Sequence, residues 1–167
     1  MKNFIKEDQK LPLFGIGPFM IGGMVALTAA GIILAFAVLK SGWLSGIWSW
    51  VSIGVGAALW IAGFVVWFIS AIRSGMDKNI SENILKTDGI YAWVRNPMYS
   101  GIWLMITGGT LMFHNAWLFI LPFVNWLIMT IVLINTEEKW LLDLYGEEYA
   151  EYKKHVNRCI PWIPRKK

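Results

Sequence analysis

The chain has 167 residues, of which 56% are hydrophobic and 16% are charged, and its net charge is +4. The charges are strongly segregated: the tracts 11–39, 41–72 and 96–136 contain no Asp, Glu, Lys or Arg. These features exclude an ordinary water-soluble domain. The single cysteine excludes an intramolecular disulfide, and no Cys/His cluster with metal-ligand spacing is present. No phosphate loop or nucleic-acid motif accompanies the basic balance, so the sequence predicts neither a metal nor a nucleic-acid partner.

The uncharged tracts predict four transmembrane helices. Crossing a bilayer takes roughly 20 apolar helical residues, so the first two tracts predict spans over about 17–39 and 47–72. The third tract is twice as long and is interrupted at Phe113-His114-Asn115, which predicts a hairpin of spans over about 98–113 and 116–135. The predicted fold is one all-α integral membrane domain, 1–167, with four transmembrane helices and a C-terminal amphipathic interfacial helix. In that last helix Tyr149, Tyr152 and Val156 share one face.

The positive charges predict the orientation in the membrane. Of the 15 Lys and Arg residues, only Lys40 lies outside the N-terminal arm, the loop 73–97 and the tail 136–167. The positive-inside rule therefore predicts that both termini, this loop and the tail are cytoplasmic. Trp43, Trp48 and Trp50 would then belong to an aromatic belt at the outer interface.

Two further patterns predict how the spans pack. Small residues recur at intervals of four in the first two spans, and this spacing lets helix backbones approach closely in lipid. Asn125 lies in the middle of the fourth predicted span, where an unpaired amide is costly. We therefore expect Asn125 to bond another helix, or alternatively to face a cavity. The small residues are Gly22, Ala26 and Ala30 in the first span, and Gly54, Ala58 and Ala62 in the second.

The longest polar interruption of the apolar sequence is Asn83–Gly101, with Arg95-Asn96-Pro97 next to the third uncharged tract. An arginine at the mouth of an apolar segment, beside a proline that fixes the backbone, suits the binding of an anion at a membrane surface. Alternatively, Arg95 extends to the lipid headgroups and Pro97 merely begins a helix. The fourth predicted span ends at Glu137-Glu138, so the polar groups of both segments are expected on one membrane face.

Three blocks together resemble the isoprenylcysteine carboxyl methyltransferases, their bacterial relatives and the phospholipid N-methyltransferases. The blocks are GIYAWVRNPMYSG at Gly89–Gly101, the acidic pair Glu137-Glu138, and LYGEEYAEYKKHV at Leu144–Val156, followed by Ile160-Pro161. The resemblance covers about half of the chain, roughly Asn83–Pro164. It implies a methyltransferase that takes a methyl group from S-adenosylmethionine and acts on a lipophilic or lipid-anchored substrate, in a prokaryotic cytoplasmic membrane.

The resemblance also implies the site residues. Arg95, Tyr99 and Glu137 would act in catalysis. Tyr91 and Tyr99 offer ring faces for the adenine or the sulfonium, and Arg95 either orients the cofactor carboxylate or braces the loop. The roles of Tyr149, Tyr152 and Arg158, at the cofactor or only in closing the site, stay open. The implied cofactor contacts are Asn83, Ile84, Leu85, Lys86, Tyr91, Asn96, Pro97, Tyr99, Glu137 and Glu138.

The chain departs from the family pattern at two positions. Asn96 stands where the motif usually has His, and Leu133 stands one helical turn before the acidic pair, where the carboxyl methyltransferases have an arginine. Without that arginine, which could hold a carboxylate bidentately, carboxylate, amine and thiol acceptors all remain open. The alternatives to a carboxyl methyltransferase-like enzyme are a phospholipid N-methyltransferase, a nicotinamide-dependent membrane reductase and a non-enzymatic membrane scaffold.

Overall fold

The computed structural model describes residues 16–73 and 84–163, and every regular element in these residues is helical. A π-helical turn, Leu34–Leu39, extends the first α-helix, and 3-10 turns at Gly89–Ala92 and Ala116–Ile120 precede the third and fourth. The predicted all-α class is confirmed for the described residues. In chain order the α-helices are α1 (Gly17–Ile33), α2 (Ile47–Arg73), α3 (Pro97–Met112), α4 (Leu121–Asn135), α5 (Glu137–Tyr145) and α6 (Glu147–His155).

Three segments of the described chain are long and apolar enough to cross a membrane: Gly17–Leu39, Ile47–Ile72 and Ala116–Tyr145. Their surfaces carry exposed apolar side chains such as Phe19 and Trp50, which suit a lipid environment. The chain is an integral membrane protein with a helical fold. The predicted span 98–113 coincides with α3, which has 16 residues and falls short of the roughly 20 that a span needs. By length and composition, therefore, the described residues contain three candidate spans, and the predicted count of four is not confirmed.

Helices α2 and α3 pack so closely that their backbones touch at two pairs of glycines. A Cβ atom on Gly108 would lie 2.4 Å from the carbonyl oxygen of Gly56. A Cβ atom on Gly101 would lie 2.7 Å from the carbonyl oxygen of Gly63. No larger residue fits at these distances without moving one of the helices, so the glycines set the separation of α2 and α3.

The small-residue stripes predicted to pack the first two spans face away from the bundle instead. Their six members are all exposed, and nothing lies near Gly22 or Gly54. The prediction was wrong because a spacing of four residues identifies a helix face but not the face that meets a neighbour. Gly56 lies two residues beyond Gly54, which rotates it by about 200° around the helix axis, and this rotation turns it toward α3.

Helix α4 is joined to its neighbours by polar side chains. Asn125 donates a hydrogen bond from Nδ2 to Thr28 Oγ1 of α1 at 2.9 Å. Trp103 of α3 donates from Nε1 to the carbonyl oxygen of Pro122, also at 2.9 Å. Asn125 is fully buried, so the prediction that its amide bonds another helix is confirmed.

At one end of the bundle, the loop between α1 and α2 pairs with the loop between α3 and α4. The backbone N–H of Leu44 donates to the carbonyl oxygen of His114 at 2.9 Å, and that of Ala116 donates to Gly42 at 2.8 Å. The predicted break at 113–115 is therefore a loop. The opposite end of the bundle carries Arg95-Asn96-Pro97, hereafter the arginine motif, because α3 begins there with Pro97.

The C-terminal helices return to this second end. Gly146 separates α5 from α6 as predicted, with a positive φ of 55° that a residue with a side chain adopts at a cost. Tyr149 of α6 is buried, whereas Glu147 and Glu148 are exposed. One face of α6 therefore covers the arginine motif, which places two chain segments distant in sequence around the same site.

Candidate active site

The arginine motif is held by backbone hydrogen bonds from the C-terminal segment. Arg95 N donates to the carbonyl oxygen of Asn157 at 2.8 Å, and Asn96 N donates to that of Arg158 at 3.1 Å. In the opposite direction, Trp162 N donates to the carbonyl oxygen of Trp93 at 3.0 Å. The segment 93–96 is thus aligned along 157–162, and its position depends on residues about 60 positions further along the chain.

A buried ionic cluster with Glu138 at its centre lies next to the paired segments 93–96 and 157–162. Arg95 Nη2 lies 3.1 Å from Glu138 Oε1, and both side chains are 6% exposed. Arg158 approaches the same carboxylate with two nitrogens, Nε on Oε1 and Nη2 on Oε2 at 3.1 Å. Arg95 Nη1 also donates to the hydroxyl of Tyr149 at 3.2 Å. These contacts favour the alternative in which Arg95 braces the loop, since both of its terminal nitrogens are engaged.

Glu137 has different surroundings from its neighbour in sequence. Tyr99 of α3 donates its hydroxyl to Glu137 Oε1 at 2.5 Å, and among the described residues no Lys, Arg or His forms an ion pair with Glu137. The start of α1 also reaches this point, because a Cβ atom on Gly17 would lie 2.6 Å from the Tyr99 hydroxyl. The structure therefore brings two of the predicted catalytic residues, Tyr99 and Glu137, into direct contact.

Tyr91 is linked to the covering helix through its backbone. The Tyr152 hydroxyl donates to the carbonyl oxygen of Tyr91 at 2.7 Å. Burial raises the pKa of Tyr152 above its ordinary value, and likewise that of Tyr149, so both hydroxyls stay protonated and can act as donors. Tyr149 thus contacts Arg95, and Tyr152 contacts the backbone of Tyr91, two contacts that the sequence left undecided.

The remaining predicted cofactor contacts precede this cluster in the chain. Ile84 is exposed, and Leu85 and Lys86 are half-buried in a stretch without regular secondary structure. Lys86 lies 3.8 Å from Asp88, which is its own local neighbour, and not beside Glu137 or Glu138 in the contacts described. Asn83 lies outside the described residues.

An apolar cluster adjoins the Tyr99–Glu137 pair. Its buried members come from α1, α4 and the C-terminal segment: Met20, Met24, Met129, Leu133 and Cys159. Tyr99 and Trp103 of α3 pack against it. Burial raises the pKa of the Cys159 thiol to about 12, so the thiol is neutral at physiological pH. Leu133, the position at which the carboxyl methyltransferases have an arginine, is fully buried here, so an apolar side chain fills this part of the site.

Sequence reasoning missed Arg158 as the partner of Glu138 and Gly17 as the residue beneath Tyr99. Glu138 and Arg158 are 20 residues apart and lie on either side of the break at Gly146, so no periodicity within one helix predicts their contact. The contact at Gly17 depends on how α1 meets α3, which likewise has no signature in the sequence. The shared face of Tyr149 and Tyr152 was visible in the sequence, and it pointed toward this site.

Fold and site together define a helical membrane protein with buried polar residues clustered at one end of its bundle. The sequence model of the phospholipid methyltransferase family matches residues 51–148. The match covers more than half of the chain and includes the arginine motif, the acidic pair and the start of α6. The protein belongs to this family.

Several curated proteins are similar over part of the chain. Protein-S-isoprenylcysteine O-methyltransferase of Schizosaccharomyces pombe is 36% identical over 94 residues, which are 52% of this chain and 37% of the relative. The Saccharomyces cerevisiae protein of the same name is 37% identical over 87 residues, covering 52% and 36%. Methanethiol S-methyltransferase 1 of Bradyrhizobium diazoefficiens is 35% identical over 77 residues, covering 46% and 26%. The chain thus matches little more than a third of these relatives at most, and no solved structure matches it.

Proposed function

We propose that this protein is a methyltransferase that uses S-adenosylmethionine and acts on a lipophilic or lipid-anchored acceptor at the cytoplasmic face of a membrane. The observation that carries the proposal is the contact between Tyr99 and Glu137 at 2.5 Å, beside an apolar cluster and next to the buried Glu138 cluster. Membership of the phospholipid methyltransferase family and the names of the similar proteins support the reaction class.

The residues present fit the proposed cofactor. Glu137 is a half-buried carboxylate that has a hydroxyl but no cation as its partner among the described residues, and it suits a ligand with an ammonium group or with ribose hydroxyls. The rings of Tyr91 and Tyr99 suit an adenine or a sulfonium. Asn96 and Pro97 would contribute backbone and amide contacts, and Ile84, Leu85, Lys86 and Asn83 would close the site from the preceding loop. Glu138 would act indirectly, through its ion pair with Arg95.

S-adenosylmethionine, when bound, supplies an activated methyl group that a nucleophile can take by in-line displacement. The protein's part is to hold two reacting groups about 3 Å apart and away from water, since proximity and desolvation contribute most of the rate in such a transfer. Tyr99 is placed to do this, because its hydroxyl is fixed by Glu137 while its ring packs against the apolar cluster. Glu137 could also receive the proton that a protonated amine or a thiol gives up.

We also propose four spans with both termini in the cytoplasm, and the packing of α3 supports this number of spans. Helix α3 runs antiparallel to α2, from Gly101 beside Gly63 to Gly108 beside Gly56, and the loop that follows it pairs with the loop before α2. At 1.5 Å per residue its length is about 24 Å, close to the roughly 30 Å of the hydrocarbon layer. Helix α6 would lie at the membrane surface, where the tail's lysines and arginines attract anionic lipid.

Phospholipid N-methylation is the second candidate, favoured by one specific observation. Leu133 is fully buried among methionines and Cys159, so the cation that would hold an acceptor carboxylate is missing at this position. An amine or thiol needs no such cation. The acceptor side of the site therefore fits a lipid amine or a thiol as well as it fits an isoprenylcysteine.

Calorimetric titration of the full-length, detergent-solubilised protein with S-adenosylhomocysteine tests the proposal. We expect micromolar binding, and we expect Glu137→Ala to weaken it by about tenfold or more, as removal of a charge-assisted hydrogen bond does. Glu151→Ala is the matched control, because Glu151 is an exposed carboxylate on α6. If the folded wild-type protein binds no S-adenosylhomocysteine, the proposal is wrong and the scaffold and reductase alternatives take its place.

The same preparation then identifies the acceptor. Transfer of labelled methyl from S-adenosylmethionine is measured with a prenylated cysteine analogue, phosphatidylethanolamine and an alkyl thiol in parallel. Methylation of the prenylated cysteine supports the carboxyl methyltransferase-like function, and methylation of phosphatidylethanolamine alone supports the second candidate.

A further inference from the structure

Arg158 lies where the C-terminal segment meets the arginine motif. Its guanidinium holds both carboxylate oxygens of Glu138, through Nε and through Nη2. Its own carbonyl oxygen accepts two hydrogen bonds from Asn96, one from the backbone N–H and one from the side-chain Nδ2, each at 3.1 Å. A single residue thus connects the buried carboxylate of α5 with the residue that precedes α3.

Glu138 does not need Arg158 to balance its charge. Arg95 already lies 3.1 Å from this carboxylate, and the Arg95 side chain is 6% exposed, compared with 24% for Arg158. A second guanidinium adds repulsion between the two cations as well as attraction to the carboxylate. Its distinctive contribution is geometric, because a fork that holds both oxygens fixes direction as well as distance. The pairing therefore fixes the backbone at residue 158.

Asn96 is the residue that benefits from this fixed backbone. It occupies the position before α3, yet its side chain does not cap the helix. The amide instead donates Nδ2 to Arg158, and this bond leaves Oδ1 as the acceptor that the amide can offer to a ligand. If residue 158 moved, Asn96 would lose both its side-chain and its backbone partner.

We propose that Arg158 is a positioning residue, which locks the C-terminal segment onto the arginine motif and so holds Asn96 in its ligand-binding orientation. The inference rests on the proposed function, because Asn96 is one of the proposed cofactor contacts. Arg158 acts through Asn96 and Glu138 and need not touch the ligand. A purely structural role for Arg158 would instead alter stability while leaving the contribution of Asn96 to binding unchanged.

The attachment of the C-terminal segment to the arginine motif can be measured without any ligand, from the rate at which Cys159 is alkylated. This residue follows Arg158, is the only cysteine of the chain, and is 2% exposed. Arg158→Met should speed the alkylation of Cys159 by N-ethylmaleimide at neutral pH about tenfold, since it removes two charge-assisted hydrogen bonds that keep the segment closed. Arg158→Lys keeps the charge without the fork and should give an intermediate rate. Lys154→Met, which removes an exposed cation from α6, should leave the rate unchanged.

The action through Asn96 is measured by a double-mutant cycle on S-adenosylhomocysteine binding. Arg158→Met should weaken binding about tenfold in the wild-type background and less than about twofold when Asn96 is already alanine. Additive losses, or unchanged affinity with faster alkylation, would overturn the positioning role. If Arg158→Met does not fold, Arg158→Lys replaces it in the double-mutant cycle with Asn96→Ala.

The two proposals fail in different ways. If the folded wild-type protein binds no S-adenosylhomocysteine, the proposed function fails, and the alkylation rates alone decide on the lock. Unchanged alkylation in Arg158→Met and in Arg158→Lys overturns the lock whether or not the ligand binds, while faster alkylation supports it.

Discussion

Replacing Glu138 by glutamine should destabilise the protein far more than the same change at the adjacent Glu137. The Glu138 side chain is 6% exposed and is contacted by three nitrogens from two arginines. Glutamine removes the charge and turns an N–H₂ donor toward one of the guanidinium groups, which leaves the buried Arg95 guanidinium without a counter-ion. Breaking a buried ion pair from one side costs roughly 3–5 kcal/mol, which corresponds to a fall of about 6–20 °C in Tm for a protein of this size.

Glu137→Gln is the matched comparison, one residue away. Glu137 has Tyr99 as its hydrogen-bond partner, and a glutamine oxygen can still accept from that hydroxyl, so the cost in unfolding free energy should stay below about 1.5 kcal/mol. Thermal unfolding in one detergent, followed by tryptophan fluorescence, measures both variants beside the wild type. Equal Tm values for Glu138→Gln and the wild type would refute the assignment of Glu138 as the centre of a buried ionic cluster.

Three further predictions concern other parts of the molecule. Gly108→Val should separate α2 from α3 and lower Tm sharply, because the valine Cβ would lie 2.4 Å from the carbonyl oxygen of Gly56. Gly54→Val is the control and should change Tm little, because no atom lies near Gly54. Gly17→Ala should displace the Tyr99 hydroxyl and reduce S-adenosylhomocysteine affinity several-fold, with a Tm within a few degrees of wild type; an unchanged affinity would contradict the place of Tyr99 in the site. Burial raises the pKa of Cys159 in the folded state from 9.0 to about 12. The contribution of the neutral thiol to stability is therefore complete below pH 9 and declines as the pH rises toward 12. Between these limits Cys159→Ala should lose less stability than the wild type, which is checked by measuring Tm as a function of pH.

The sequence predicts the helices well because their signal is compositional. Uncharged tracts bounded by charges mark the membrane segments, and the break at 113–115 follows from a polar interruption. The count of spans is harder, because the predicted segment 98–113 agrees with α3, and a helix of only 16 residues is too short for length alone to identify it as a span. Which glycines meet a partner is harder still, because the choice between Gly54 and Gly56 depends on the rotation of α2 against α3 and not on spacing.

The candidate site divides in the same way. Tyr99 and Glu137 were predicted together and meet in the structure, and their roles in catalysis stay predictions. The sequence could not predict the different surroundings of Glu137 and Glu138, because they are adjacent residues of the same type. Which of them contacts the arginines depends on the rotation of α5 about its axis. The Arg158 contact joins residues that are 20 apart across a turn at Gly146, and such a contact exists only once the chain has folded.

The two sides of the bundle differ in mechanical character. Helices α2 and α3 meet backbone to backbone at their glycines, a stiff seam without side chains that could rearrange. Apart from the hydrogen bond between Asn125 and Thr28, helix α1 meets α4 through Met20, Met24 and Met129, whose unbranched chains change rotamer readily. The seam between α1 and α4 is therefore the compliant side of the bundle, and it adjoins Tyr99. Shape changes on loading a bulky hydrophobic molecule should concentrate there, and methyl relaxation of the three methionines would record them.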